Sequence, residues 1–580
     1  MRASRLLFWS LLTALSLPAA LLPQQAWAQA QEEDDGDEAP AAPVSRAHLP
    51  PQELSAKVLY QMLLAETALQ RDRLSLAVTT YLELARTTRD PRVSQRATEV
   101  ALFARNPVAA LEASRLWAAQ DPDSDRARQT LSGLLVTEGK LSEARPYLEQ
   151  MLAKAGPQTG ALFMNLHNML SRQADKAAVA DLVVQLAQPY PKLPEAAYAV
   201  ALANLDASRN DQALSAARAA ADLKPGWDAA ALLHGQILQA SKGGQAAREF
   251  YLAFLDKHPK AQEVRLIYAR MLVDDKQFNA AREQFQAILK GAPDNPDLTL
   301  AVGLLSMQLQ DYAAAQTYLE KVLALGYREP DTVRFYLGQL HEEQKDWTGA
   351  QKWYGQVEGG EQYVPSRMRI AVAMAHQNRL QEGRDLLHSL PADNNEQRVV
   401  LAQAEAQLLS DSRDFQGAWD VLSEGLKKVP DAPDLLYDRA MVAEKMGRID
   451  LLESDLRQVI KIKPDHAHAY NALGYTLADR TERYAEALEL IQKAVALAPG
   501  DPFIIDSLGW VQYRLGRLKD AEHNLKDAYD RQPDPEIAAH LGQVLWAQGN
   551  RDAATRLWQA SYKANPDSEV LKSALEQHPR

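Results

Sequence analysis

The chain has 580 residues, 46% hydrophobic and 24% charged, which is ordinary globular usage and excludes wholesale disorder or a collagen-like fibre. Its 64 basic residues are outnumbered by 76 acidic ones, and a net charge of -12 argues against general nucleic-acid binding, because an acidic surface repels phosphate. Cysteine is absent, which excludes disulfides, cysteine-ligated zinc, iron–sulfur clusters, a cysteine nucleophile and any lipid carried on cysteine.

Arg2 and Arg5 precede an apolar run at residues 6–22, broken only by Ser10, Thr13, Ser16 and Pro18. Ala26 and Ala28 then occupy the two small-residue positions that a signal peptidase reads, and Ala28 and Ala30 repeat the pattern. An exported protein is predicted, with residues 1–28 as signal peptide and cleavage after Ala28 or Ala30. An uncleaved anchor is the rival reading. The run lies near the lower length limit of a span and carries a proline before the small-residue site, which favours cleavage. Residues 29–54 hold the acidic run EEDDGDE at 32–38 and then Pro- and Ala-rich sequence. They are expected to form a solvated, disordered tether rather than a calcium site, because the carboxylates match no EF-hand spacing.

From residue 55 the placement of proline carries a period. Pro225, Pro259 and Pro293 stand 34 apart, as do Pro430 and Pro464, and Pro499 and Pro533. Twelve residues before the first three lie Ala213, Ala247 and Ala281, and twelve before those lie Ala201, Gly235 and Ala269. Near the C-terminus the same frame gives Gly474 with Ala487, Gly509 with Ala521, and Gly542 with Ala554. A large residue follows four positions after the second small one: Tyr251, Phe285, Leu319, Tyr354, Ile491, Leu525 and Trp558. Two antiparallel helices approach closely only where side chains are small, so the first small residue belongs to a helix A and the second to a helix B. The large residue fills the space beside their crossing. Proline then ends helix B, because it lacks the next backbone donor. Gly139, Gly447, Gly516 and Gly549 mark the A–B turns. A helix pair of this kind buries its apolar face only by stacking on its neighbours, which makes a solenoid.

This frame resembles the tetratricopeptide repeat family. Leu508, Gly509, Ala521, Leu525, Ala528 and Pro533 fall at the family's signature positions within one repeat. The resemblance runs from about Ser55 to Asn565. It implies an all-α, right-handed α-solenoid superhelix of about fifteen helix pairs. Irregular repeats are expected over 55–194, with a short unit around Ala101, Ala110, Ser114 and Pro122. Central repeats follow over 195–395, C-terminal repeats over 396–567, and a solvating final helix within 568–580. Curvature is expected to change near 190, where Pro189, Pro191 and Pro194 cluster, and near 395, after the loop Asp393-Asn394-Asn395.

The repeats leave no room for a catalytic domain, and no phosphate loop, nucleophile elbow or zinc-protease helix occurs. No enzyme activity, cofactor or metal is expected. His466 and His468 lie two apart and so point to different helix faces. The pairs Glu342-Glu343 and Asp274-Asp275 are read as solvated charges where an A helix ends. In this family helix A lines the concave face, so the resemblance places partner contacts on residues flanking the first small position. Asn471, Tyr475 and Asp479 are the exposed positions expected in one repeat, and Asp506, Trp510, Tyr513 and Arg514 in the next. Gln543 and Trp546 follow, with Tyr437, Met441 and Lys445 one repeat earlier. The leading partner-binding set is Asn471, Tyr475, Asp506, Trp510, Tyr513 and Arg514. Packing of Trp510 and Trp546 between repeats is the competing reading for the two tryptophans.

The segment from Asn471 through Trp546 is similar to a group of long proteobacterial envelope repeat proteins. That group includes the lipoprotein adaptor of a periplasmic carboxy-terminal processing protease. The resemblance implies a periplasmic, non-enzymatic adaptor whose protein partners are a serine protease and cell-wall hydrolases. With no cysteine to lipidate, membrane association would come only through partners. A structural scaffold for outer-envelope or polysaccharide assembly is the alternative.

Overall fold

The structure is a computed structural model that describes Leu49 and residues 55–578. The predicted signal peptide, its cleavage sites and the tether apart from Leu49 lie outside the described residues. Within them the chain is all-α, with thirty-one helices and no strand. Consecutive helices form fifteen A–B pairs, from Ala56–Gln70 with Leu74–Thr88 to Pro535–Ala547 with Arg551–Ala564. The last helix, Glu569–Gln577, begins where Ser568 caps it. The chain divides into two compact units, one ending at Tyr318 and one beginning at Leu319. No helix among the described residues is long and apolar enough to cross a membrane.

One repeat shows why the sequence folds this way. The carboxylate of Asp501 accepts hydrogen bonds from the backbone N–H groups of Phe503 and Ile504 at 2.8 and 3.2 Å. Pro502 fills the first turn of helix A, where no N–H is needed. Helix A ends at Arg514, and Gly516, at φ 76°, reverses the chain. Helix B runs Leu518–Arg531, and Pro533 stands just beyond it. Between the two helices Gly509 meets Leu525. A Cβ at Gly509 would sit 2.5 Å from Leu525 Cγ and 3.2 Å from the Ala521 carbonyl oxygen. The same crossing recurs with Gly235 under Tyr251, Gly338 under Tyr354, Gly474 under Ile491 and Gly542 under Trp558. Where the covering residue carries a polar group, that group is satisfied: Tyr251 donates to Leu232 O at 3.2 Å and Trp558 Nε1 to Ala539 O at 3.2 Å.

Not every A–B turn uses glycine. Ser208, Lys276, Gln310, Lys345, Asn378 and Arg413 adopt positive φ at the equivalent place, from 58° to 63°. These turns carry left-handed strain that a glycine would relieve.

In the unit ending at Tyr318, the early B helices touch one another: Leu74–Thr88 meets Pro107–Gln120, and Leu141–Lys154 meets Lys176–Ala187. After the proline-rich turn near 190 the closest same-type contact passes to A helices, Thr159–Leu170 against Pro194–Asp206. Side-to-side contact moves here from one face of the stack to the other. Near 395 no such switch occurs. The helix Asn395–Asp411 lengthens instead, and an open cavity of about 800 Å³ lies beside it, lined by Leu387, Leu390, Leu401 and Val421 among others.

In the unit beginning at Leu319, most A helices of consecutive repeats touch while B helices make no comparable contact with one another. The A helices therefore lie on the inside of the local curve. Glu342 corrects one reading. It is not a solvated helix-end charge: it accepts from the Tyr354 hydroxyl at 2.8 Å and pairs with Arg369 on the next A helix, with only 13% of its side chain exposed.

Candidate functional site

The A helices Ala467–Arg480, Pro502–Arg514 and Pro535–Ala547 belong to three consecutive repeats. At the centre of their shared face stands His540, which sequence reasoning did not select. Its Nδ1 lies 3.0 Å from both carboxylate oxygens of Asp506. Its ring stacks on Trp510 with centroids 4.3 Å apart, and Tyr513 lies 5.1 Å from Trp510. From the first of the three helices, the Tyr475 hydroxyl comes within 3.5 Å of His540 Nε2. Side chains two repeats apart meet in this way only on an inner curve.

Of the leading residues, Tyr475, Asp506, Trp510 and Tyr513 are thus brought together. Asp506 departs from its expected exposed position. It is 5% exposed, inside the pair with His540. Asn471 is half-buried, and its Oδ1 is enclosed without a hydrogen-bond partner, as is the Nε1 of Trp510. Arg514 acts between repeats. Its guanidinium donates to the Asp479 carbonyl at 3.1 Å and to the Tyr484 hydroxyl at 2.9 Å, and stands over the Tyr484 ring.

The flanking positions have other duties. Gln543 meets His578 of the final helix at 3.2 Å, and Trp546 stacks on Trp558 and lies tilted against His578. Packing at the end of the stack therefore uses Trp546. Tyr437 stacks on His466, Met441 is half-buried, and Lys445 is exposed 3.9 Å from Glu444. His466 caps its helix by accepting from Ala469 N–H at 3.1 Å, and no cluster of metal-ligating residues occurs among the described residues.

The electrostatics of the face are set by carboxylates. Burial pushes the Tyr475 hydroxyl well above the usual tyrosine range, and Glu536, Asp479, Asp506 and Glu444 push it further. Burial works against the charged imidazolium of His540, but Asp506, Glu536 and Asp479 outweigh it, and the His540 pKa is raised. Glu536, in the first turn of its helix, reaches solvent, yet the protein around it raises its pKa by desolvation. The charges of Asp506, Asp534 and Glu444 add to the rise, and His540 opposes it. A signal for the His540 pair was present in the sequence: Asp506 and His540 stand 34 apart, one repeat period.

Tetratricopeptide repeat profiles match residues 232–296, 300–359, 437–502 and 507–569. The chain is 40% identical over 491 residues to the TPR repeat-containing protein PA4667 of Pseudomonas aeruginosa, covering 84% of this chain and 82% of that protein. The chain belongs to the tetratricopeptide repeat family. Its repeats also resemble part of the protein O-mannosyl-transferase TMTC1 of Mus musculus, at 28% identity over 25% of this chain and 16% of that enzyme. A thermophilic TPR protein of Thermus thermophilus aligns over 31% of this chain and 99% of its own, with 22% identity and a TM-score of 0.28. Tetratricopeptide repeats make this chain an interaction scaffold for other proteins.

Proposed function

We propose that this protein is a non-enzymatic adaptor of the cell envelope. It is exported to the periplasm and holds protein partners on the A-helix face of its C-terminal repeats. Asn471, Tyr475, Asp506, Trp510, Tyr513 and Arg514 form that site, with His540 at its centre. The reading is carried by one observation: Tyr475, Trp510, Tyr513 and His540 form a continuous aromatic face on the A helices of three consecutive repeats. Aromatic residues at the centre of a face are the usual anchors of protein interfaces.

On the resemblance of residues 471–546, the partner is a carboxy-terminal processing protease and its clients are cell-wall hydrolases. Holding both raises their effective concentration. Without cysteine, contact with a membrane comes through the partners. Affinity capture from periplasm followed by mass spectrometry tests the reading, with Trp510→Ala as the comparison and circular dichroism run on both proteins. A processing protease is expected with the native chain and depleted with a folded variant. Recovery of envelope-assembly components alone, or of the protease equally with both, would refute it.

A further inference from the structure

One repeat closes early and leaves space behind it. Its B helix, Leu380–His388, has nine residues, whereas the next B helix, Phe415–Lys428, has fourteen. The missing turn leaves Leu390 and Ala392 on irregular chain. The two B helices make little contact with each other, and the A helix Asn395–Asp411 packs against both. The open cavity of about 800 Å³ occupies the gap, a size within the range of about 300–1,000 Å³ usual for small-molecule sites. A helices lie on the inside of the local curve, so a cleft between B helices lies on its outside, away from the aromatic face.

The lining divides into aliphatic floor and charged rim. Leu387, Leu390, Leu401 and Val421 form the floor, and Gly417 and Gly425, four residues either side of Val421, leave that wall low. Among the described residues no serine, threonine, asparagine, glutamine, tyrosine or tryptophan lines the cleft. A peptide laid in it would have to bury N–H and C=O groups without partners, whereas a hydrocarbon chain has none to satisfy. The rim carboxylates are already engaged. Glu405, with 8% of its side chain exposed, has Arg384 Nε at 2.8 Å and His388 Nε2 at 2.9 Å. Glu424 pairs with Lys427 at 2.9 Å, and Asp420 accepts from Gln416 at 2.8 Å. Two cations are not: Arg398 donates only to Asn395 Oδ1, at 3.0 Å, and neither it nor Lys428 has an ion pair among the described residues. Paired A and B helices run antiparallel. Arg398, in the first turn of its helix, and Lys428, the last residue of the next, therefore stand at the same end of the cleft. Asp420 and the Glu405 cluster lie further along it.

We propose that the cleft between helices Leu380–His388 and Phe415–Lys428 binds a long-chain carboxylate. The alkyl chain lies along Leu387, Leu390, Leu401 and Val421, and Arg398 and Lys428 hold the carboxylate at one end by charge-assisted hydrogen bonds. This site is separate from the aromatic face, and neither depends on the other.

The full chain without residues 1–28 is titrated with cis-parinarate, a long-chain carboxylate whose fluorescence rises in an apolar site. Saturable binding at a single site is expected, with displacement by palmitate. Hexadecanol, which has the chain without the charge, should displace it about tenfold more weakly, and hexadecyltrimethylammonium more weakly still. An alanine- and leucine-rich peptide with a free C-terminus should not displace it. Val421→Trp fills the cleft and should abolish binding. Arg398→Gln with Lys428→Gln, both outside the core, should weaken palmitate about tenfold and leave hexadecanol unchanged, a split that general loss of structure would not produce. Phe103→Ser, at an exposed apolar position of the other unit, should change nothing. Circular dichroism is run on each variant, and if Val421→Trp does not fold the double variant decides. The proposal is overturned if no saturable binding occurs, or if hexadecanol, the ammonium or the peptide displaces as well as palmitate. It is equally overturned by a folded Val421→Trp or double variant that binds like the native chain, and by loss of binding in Phe103→Ser.

Discussion

Replacing Gly509 by alanine adds one methyl group at the tightest point of a helix pair. Its Cβ would stand 2.5 Å from Leu525 Cγ and 3.2 Å from the Ala521 carbonyl oxygen. Leu525 is fully buried, and the backbone carbonyl cannot swing away, so the helices Pro502–Arg514 and Leu518–Arg531 must part. Overpacking of this kind costs about 1–3 kcal/mol. Leu525→Ala alone costs about 2–5 kcal/mol, because it leaves a cavity over Gly509. In the double variant the new methyl enters that cavity. The combined loss should therefore fall short of the sum by on the order of 1–2 kcal/mol. A long repeat array is not two-state, so the measurement should be local. Hydrogen exchange read by mass spectrometry on residues 502–531 gives the opening free energy of this pair in all four proteins of the cycle. The helices around Ala201 should exchange at the native rate in each. An additive double variant would refute the crossing argument, and loosening that spread evenly along the chain would refute the nearest-neighbour solenoid.

The turn at Gln310 holds φ at 60°, and Gln310 is exposed, so Gln310→Gly should slow exchange in helices Pro296–Gln308 and Tyr312–Ala324 by about 0.5–1 kcal/mol. Faster exchange there would contradict the strain. His540 has a raised pKa in the fold, so its charged form supports the native state. That support is full below the ordinary imidazole value of about 6.5 and is lost as pH rises through the folded value. The C-terminal repeats should thus melt lower at alkaline pH than at pH 6, and His540→Asn should flatten that dependence; a variant that keeps the native slope would exclude His540 as its source. Arg369→Leu leaves the largely buried Glu342 without its cation and should destabilise the repeats near Gly338 by on the order of 2 kcal/mol. Adding Glu342→Gln should recover part of the loss in thermal melts.

The period of small residues and prolines was sufficient for the architecture. Each repeat solves the same local problem: glycine or alanine at a crossing, a large residue beside it, and a proline past the end. Contacts mostly reach only the next repeat, so fifteen pairs and a final helix could be counted without knowing the shape. Which helices of successive repeats touch was not legible: same-type contacts change face near 190, and an open cavity lies beside the long helix Asn395–Asp411. The site was legible only in outline. Tyr475, Trp510 and Tyr513 follow from their place beside the small positions, since helix geometry alone puts them on the A face. His540 and the burial of Asp506 do not follow, because they depend on how far one repeat rotates over the next. The same holds for Arg514, whose partners Asp479 and Tyr484 lie in the preceding repeat, and for Glu342, whose cation comes from the following one. Sequence periodicity fixes which side of a helix a residue occupies. The tertiary stack decides whether that side faces a partner molecule, an ion-pair partner or the next helix, because a few degrees of twist between repeats move a side chain tip by several ångströms.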